Sequence, residues 1–243
     1  MNECMLTDPE LGEIRLRTNA RARRLTFRVK DGSLWASLPP GTALAEVRRA
    51  VEQLRPRLRA ACLANRRAFI DLGYCIETDF FRLSLAEGNV GRFLSRSSAN
   101  ALQIVCPPGT DFRDPALQDW LHKVVVEALR RRAKEILPAR LDGLARRHGL
   151  AYRQVRINTG HTRWGSCSAG RNINLSCYLL LLPGRLVDYV LLHELAHTRE
   201  MNHGERFWHL LDELTGGKAQ LLRREMKRYR AGLPAVPVSS GRA

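Results

Sequence analysis

The pentapeptide His193-Glu194-Leu195-Ala196-His197, followed by His203, constrains this chain more than any other feature, because it sets two imidazoles and a carboxylate inside an apolar run. Leu186, Val187, Tyr189, Val190, Leu191, Leu192, Leu195 and Ala196 make that run apolar on most sides, which predicts a central, buried helix. Residues four apart share a helix face, so His193 and His197 can converge on one tetrahedral ion. Without a partner, such a cluster is costly to desolvate, and a divalent cation neutralises it. Glu194 lies about a hundred degrees round the helix, within reach of a metal-bound water but outside the ligand set. The chemistry this suggests is zinc-dependent hydrolysis. The metal lowers the pKa of its water toward about 7, and Glu194 accepts the proton and passes it to the leaving group.

A third ligand requires the helix to break. His203 lies six positions beyond His197, so an unbroken helix would point it about 240° away from the metal. Asn202-His203-Gly204 supplies residues that tolerate left-handed or otherwise non-helical backbone. His203 is therefore the preferred third ligand, with Glu205 and His209 as rivals. Glu200 occupies the place where the extended zincin motif carries glycine, which argues against a metzincin.

The chain has 243 residues, enough for one domain or two, and a formal net charge of +16. Arginines cluster at Arg15 to Arg28, Arg48 to Arg67, Arg130 to Arg147 and Arg223 to Arg230, faces suited either to polyanions or simply to solvent. Cys4, Cys62, Cys75, Cys106, Cys167 and Cys177 form no CxxC pair, so neither a disulfide framework nor a cysteine zinc site is expected. The N-terminus lacks a basic segment leading into an apolar run, and no stretch approaches a membrane span, so a cytoplasmic protein without a membrane partner is expected.

Residues 1–110 read as a β-rich region with one helix. Ile14–Arg17, Leu25–Val29 and Leu34–Leu38 predict two or three antiparallel strands, with Asp31-Gly32 as a turn. A helix from Thr42 toward Arg67 is expected to be interrupted at Pro56, and Phe80–Leu85 and Leu102–Cys106 are further strand candidates. From Asp114-Pro115 the spacing is helical, with Pro138 expected to kink or divide the segment. Tyr152–Ile157 and Asn172–Tyr178 read as strands, Arg163–Cys167 as a turn, and 205–214 and 218–230 as helices. Residues 234–243 read as a disordered tail.

Arg163-Trp164-Gly165-Ser166-Cys167, Asn172-Ile173-Asn174-Leu175, Asp188-Tyr189-Val190, the HExxH segment and Met201-Asn202-His203 with Phe207-Trp208 resemble the YgjP-like zinc metallopeptidases, which are related to the SprT-like and WLM proteases. The strong part of the resemblance runs from about Arg153 to Leu214, with a weaker part over Arg21–Leu38. It implies His193, His197 and His203 as zinc ligands and Glu194 as catalytic base. The expected fold is α+β: a zincin-like metallopeptidase domain over 111–233, with a central HExxH helix and a small antiparallel sheet, preceded by the β-rich region. Ser176-Cys177 departs from many relatives, and no role is carried onto those two positions.

Further expected roles are substrate contacts. If the strand over 172–177 is an exposed edge, a peptide could add to it beside Asn174. Arg163 could help stabilise an oxyanion while Trp164 packs on substrate, or both could be structural. His161 and Tyr178 are weaker oxyanion candidates, and Cys167 with His161 as base is a remote nucleophile. The leading function is a zinc-dependent peptidase acting on peptides or proteins. One alternative is a metal-dependent nucleoside triphosphate pyrophosphatase or phosphohydrolase, motivated by the arginines. Another is a protease localised by nucleic acid through its basic patches.

Overall fold

The computed structural model describes residues 3–30, 33–64, 67–98, 100–235 and 238–239. The expected turn at Asp31-Gly32 and parts of the 234–243 tail lie outside them. The chain divides into two compact units, Met1–Ala68 and Phe69–Ala243, a division that falls earlier than position 110.

In the first unit, apolar alternation builds the sheet. Strand β2 (Gly12–Thr18) buries Ile14 and Leu16 and exposes Arg15 and Arg17, while β4 (Ser33–Leu38) buries Leu34, Ala36 and Leu38. With β1 (Glu3–Asp8) and β3 (Thr26–Lys30) they pair in the order β1-β2-β4-β3. The expected all-antiparallel pairing is corrected, because β2 and β4 run parallel. β1 occupies the hairpin position on β2, through the Asp8 to Gly12 turn, and leaves the opposite edge of β2 for β4. Helix α1 (Leu44–Ala64) adds Val47, Val51 and Leu58 to the same core. Pro56 does not interrupt it. The proline removes one backbone donor, but Val51 and Leu58 on either side are anchored in the core.

The second unit begins with β5 (Ile76–Glu77), β6 (Arg82–Glu87), β7 (Leu94–Ser97) and β8 (Ala101–Cys106), with β6 and β8 parallel. Helix α2 (Pro115–Arg147) starts where Asp114 accepts a hydrogen bond from the Ala116 N–H and proline stands at the first turn. Leu121, Val125, Leu129, Ala133, Leu137 and Leu141 are fully buried along it, and that continuous stripe carries the helix through Pro138 undivided.

A small sheet then precedes the helix carrying the HExxH segment. It consists of β9 (Gln154–Asn158), β10 (Gly165–Cys167) and β11 (Asn172–Ser176) in the order β10-β11-β9. This sheet is mixed, correcting the antiparallel expectation: β10 and β11 form a hairpin, whereas β9 pairs parallel to β11. The residues read as a turn at 165–167 are thus strand, and β11 is central rather than an exposed edge. Ile173 and Leu175 are fully buried, as befits a strand paired on both sides.

Cys177–Leu181 forms a buried 3₁₀ turn, not the last residues of the strand. Pro183 leads into α3 (Gly184–Ala196), followed by α4 (Glu205–Leu214) and α5 (Ala219–Met226). Asp188 on α3 accepts two hydrogen bonds from Arg140 on α2, at 2.5 and 2.8 Å. At the end of the described chain, the Tyr74 hydroxyl donates to the Pro234 carbonyl, and β12 (Val238–Ser239) pairs with β5. Those residues of the tail read as disordered are thus backbone-paired, a bond that polar composition does not prevent. The architecture is α+β, with small mixed sheets and five α-helices among the described residues. None of these helices is long and apolar enough to cross a membrane.

Candidate metal centre

Helix α3 delivers His193 and Glu194 from its last turn and ends at His197. The chain then breaks within a few residues, with the Arg199 and Glu200 N–H groups both returning to the Ala196 carbonyl. No left-handed residue makes this turn: Gly204 is extended, at φ −78° and ψ −174°, as it enters α4. The break turns His203 back toward the helix. The ligating atoms of His193, His197 and His203 all lie within 4.8 Å of one another. His193 Nε2 and His203 Nε2 are 3.1 Å apart, close to the ~3.3 Å expected of two nitrogens bound at about 2.0 Å to one tetrahedral ion. Glu205 and His209 stand outside this cluster, and the exposed His209 ring instead faces Glu213 at 3.4 Å.

The supports of each ring are local. His197 Nδ1 lies 3.0 Å from the Glu200 carbonyl, which leaves Nε2 free to ligate when Nδ1 carries the proton. The Trp208 indole N–H donates to the His203 carbonyl at 3.1 Å, tying the loop to α4. Phe207, fully buried on α4, stacks on His197 with centroids 4.5 Å apart and meets His193 and His203 edge-on at 4.9 and 4.7 Å. One aromatic ring thus underlies all three imidazoles.

Burial dominates the electrostatics. It pushes His193 down to about 3, with the neighbouring His197, His203 and Arg223 adding to the effect, and lowers His197 as well. The rings are therefore held in the neutral form that binds metals. Glu194 is 5% exposed, and burial pushes its carboxyl up to about 8. Its Oε2 is buried without a hydrogen-bond partner. A polar atom left in that state is expensive unless something unseen in the protein fabric engages it. Three convergent imidazoles beside an orphaned carboxyl oxygen fit a divalent cation with its attendant water.

Gly165 makes room for that carboxylate. A Cβ at this position would lie 2.7 Å from Glu194 Oε1 and 2.8 Å from its Cγ. Strand β10 therefore runs directly against Glu194, and among the described residues it pairs on one side only. Trp164, Gly165, Tyr189, Val190, His193, Glu194, His203, Trp208, Arg223 and Met226 line a cavity of about 490 Å³. Trp164 accordingly reaches the site, whereas Arg163 is exposed and is not among the lining residues. Asn174 sits on the central strand β11, and Tyr178 lies in the buried 3₁₀ turn. Burial and the nearby Glu194 raise the Cys167 thiol, the opposite of an activated nucleophile.

Sequence reasoning missed several contributors. Ser176, fully buried, donates to the Gly160 carbonyl at 2.6 Å, while its N–H donates to the Trp164 carbonyl, so it pins the loop leading into β10. Arg223 lays its guanidinium over Trp208, 4.4 Å from the ring centroid. Its position in an arginine run concealed it. Gly165 was visible within its motif, but its tight approach to the distant side chain of Glu194 has no local signature.

The YgjP-like metallopeptidase domain matches this chain over residues 23–229. The chain belongs to the YgjP-like metallopeptidase domain family. The matched span includes the histidine triad, Glu194, the cavity walls and most of the first unit. The chain is also similar to the crystal structure of the metallopeptidase zymogen of Pyrococcus abyssi abylysin, with 25% identity, 40% of this chain and 95% of that chain covered, and a TM-score of 0.33. No curated protein matches the chain significantly.

Proposed function

We propose that this YgjP-like chain is a zinc-dependent peptidase in which His193, His197 and His203 hold the ion and Glu194 is the catalytic base. The observation that carries this reading is the convergence of three imidazoles beside a buried carboxylate oxygen that has no partner. Zinc is favoured over harder cations because the donor set is all imidazole nitrogen. When bound, the ion supplies Lewis acidity toward a scissile carbonyl and toward water.

The chain's own residues do the rest. Glu194, fixed against Gly165, accepts a proton from the attacking water and donates it to the departing amine. The raised carboxyl pKa reflects its dry surroundings, which also strengthen its hold on a proton in transit. Strand β10 has an edge unpaired among the described residues, so an extended substrate can add to it and bring its amide past Glu194. Trp164, Tyr189, Val190 and Met226 give the cavity apolar surface for a substrate side chain and exclude water from it.

The test compares the wild type with Glu194→Gln, each loaded with zinc and offered both an unstructured protein and nucleoside triphosphates. The expected outcome is unchanged zinc stoichiometry with peptide hydrolysis reduced by about 10³-fold or more, in line with the loss of a positioned general base. Peptide hydrolysis at the wild-type rate in Glu194→Gln removes Glu194 from the mechanism. Turnover of nucleotides without peptide cleavage replaces the peptidase reading with a phosphohydrolase.

A further inference from the structure

The cavity beside the histidine triad has one charged wall that the hydrolytic chemistry leaves unused. Arg223, on α5, lines this cavity together with His193, Glu194 and His203. Its guanidinium is stacked on the Trp208 ring at 4.4 Å, and Trp208 is itself held by its hydrogen bond to the His203 carbonyl. The end of the exposed Arg223 side chain thereby rests on the residue that is tied to the candidate metal-site loop.

Some other arginines of the second unit are paired with carboxylates. Arg185 is paired with Glu225, Arg132 with Glu135 and Arg130 with Glu127. Among the described residues no carboxylate forms an ion pair with Arg223, Glu194 of the same cavity included. Stacking on an indole occupies the face of a guanidinium and leaves its N–H edge available, and that edge matches a carboxylate bidentately. The remaining walls, Trp164, Tyr189, Val190 and Met226, carry no formal charge.

We infer that Arg223 is a specificity-determining residue that selects peptide substrates bearing a carboxylate, either an acidic side chain or a free C-terminus, next to the scissile bond. The inference rests on the peptidase reading and deepens it. The two carboxylate sources place the same group at the same guanidinium, and they differ in whether the protein trims chain ends or cuts internally.

Three peptides of otherwise identical sequence separate these sources: one with an acidic residue and an amidated C-terminus, one neutral with a free C-terminus, and one neutral and amidated. For the zinc-loaded wild type, kcat/KM for at least one carboxylate peptide is expected to exceed that of the neutral amidated peptide by on the order of tenfold or more, the value of a charge-assisted contact. Arg223→Met keeps an aliphatic stem on Trp208 and is expected to bring this ratio to unity. Arg223→Lys should restore part of it, because charge survives and the planar fork does not. Equal cleavage of all three peptides by the wild type, or an undiminished preference in Arg223→Met, overturns the inference while leaving the peptidase reading standing.

If the wild type cleaves none of them, the peptidase reading falls, and binding decides the role of Arg223. Calorimetry on zinc-loaded Glu194→Gln would then have to show carboxylate-peptide binding that disappears when Arg223→Met is added. Absence of that binding, or tighter binding of pyrophosphate than of either carboxylate peptide, overturns the inference.

Discussion

At the scale of single residues, the most exacting position is Gly165. Its missing side chain is the space that the Glu194 carboxylate fills, and a methyl group there would sit under 3 Å from Oε1, Cγ and Cδ. Glu194 is buried, so the clash resolves by displacing the carboxylate from its present position. Gly165→Ala is expected to keep all three imidazoles, bind zinc at wild-type stoichiometry, and lose about 10²-fold in kcat, the cost of a misplacement near 1 Å. Metal analysis and steady-state peptide kinetics on one preparation check this. A wild-type kcat in Gly165→Ala would mean that Glu194 is not held where the structure has it.

At the scale of elements, α4 is as much a part of the metal centre as α3. Phe207 fills the space beneath three rings, and truncation would leave a cavity there. Phe207→Ala is expected to cost about 3–5 kcal/mol in denaturant unfolding and to weaken zinc binding in a competition titration, because the imidazoles lose their common floor. Stability lost without any weakening of zinc would separate the floor from the site. In the first unit, Arg55 on α1 donates to both carboxylate oxygens of Asp8, at 3.0 and 3.1 Å, joining the helix to the end of β1. Those bonds, with the N–H groups of Leu11 and Glu10, hold the Asp8 carboxyl down to about 2. A carboxylate whose pKa is depressed by folding stabilises above its unfolded value near ~3.9 and loses that contribution as pH falls toward about 2. Protection factors for the β1 and β2 amides, corrected for the pH dependence of intrinsic exchange, should therefore fall over that window in the wild type, and Asp8→Asn should show the weaker protection already at neutral pH.

Elements were legible where one stretch of chain determines them. The α4 bounds follow from an apolar periodicity that ends at the Thr215-Gly216-Gly217 cluster, and α2 starts at its Asp-Pro signal. Strands β5 and β7 are short and largely polar at the surface, so alternation alone did not reveal them. Parallel pairing was missed in all three sheets for a different reason: which strand lies beside which is settled by contacts distant in sequence, as when β11 takes β9 on one side and β10 on the other.

At the scale of the whole molecule, the same contrast separates what was read of the site from what was not. His193, Glu194 and His197 are one helical turn, and the needed break before His203 follows from counting residues. Arg223 comes from α5 and Gly165 from β10, so their arrival at one cavity is a property of the fold. The net charge of +16 already counts every carboxylate, so the pairs formed by Arg55, Arg59, Arg130, Arg132 and Arg185 leave the total unchanged and only break up the basic surface locally. That pairing weakens the case for one continuous polyanion-binding face.

The central claim is that three imidazoles hold a single ion and leave a place for solvent or substrate. X-ray absorption at the zinc edge of the loaded wild-type protein measures this directly. The account predicts one zinc per chain with three imidazole nitrogens at about 2.0–2.1 Å and one further light-atom oxygen ligand. A sulfur ligand, a fourth protein nitrogen, or failure of His203→Ala to change the imidazole count would contradict it.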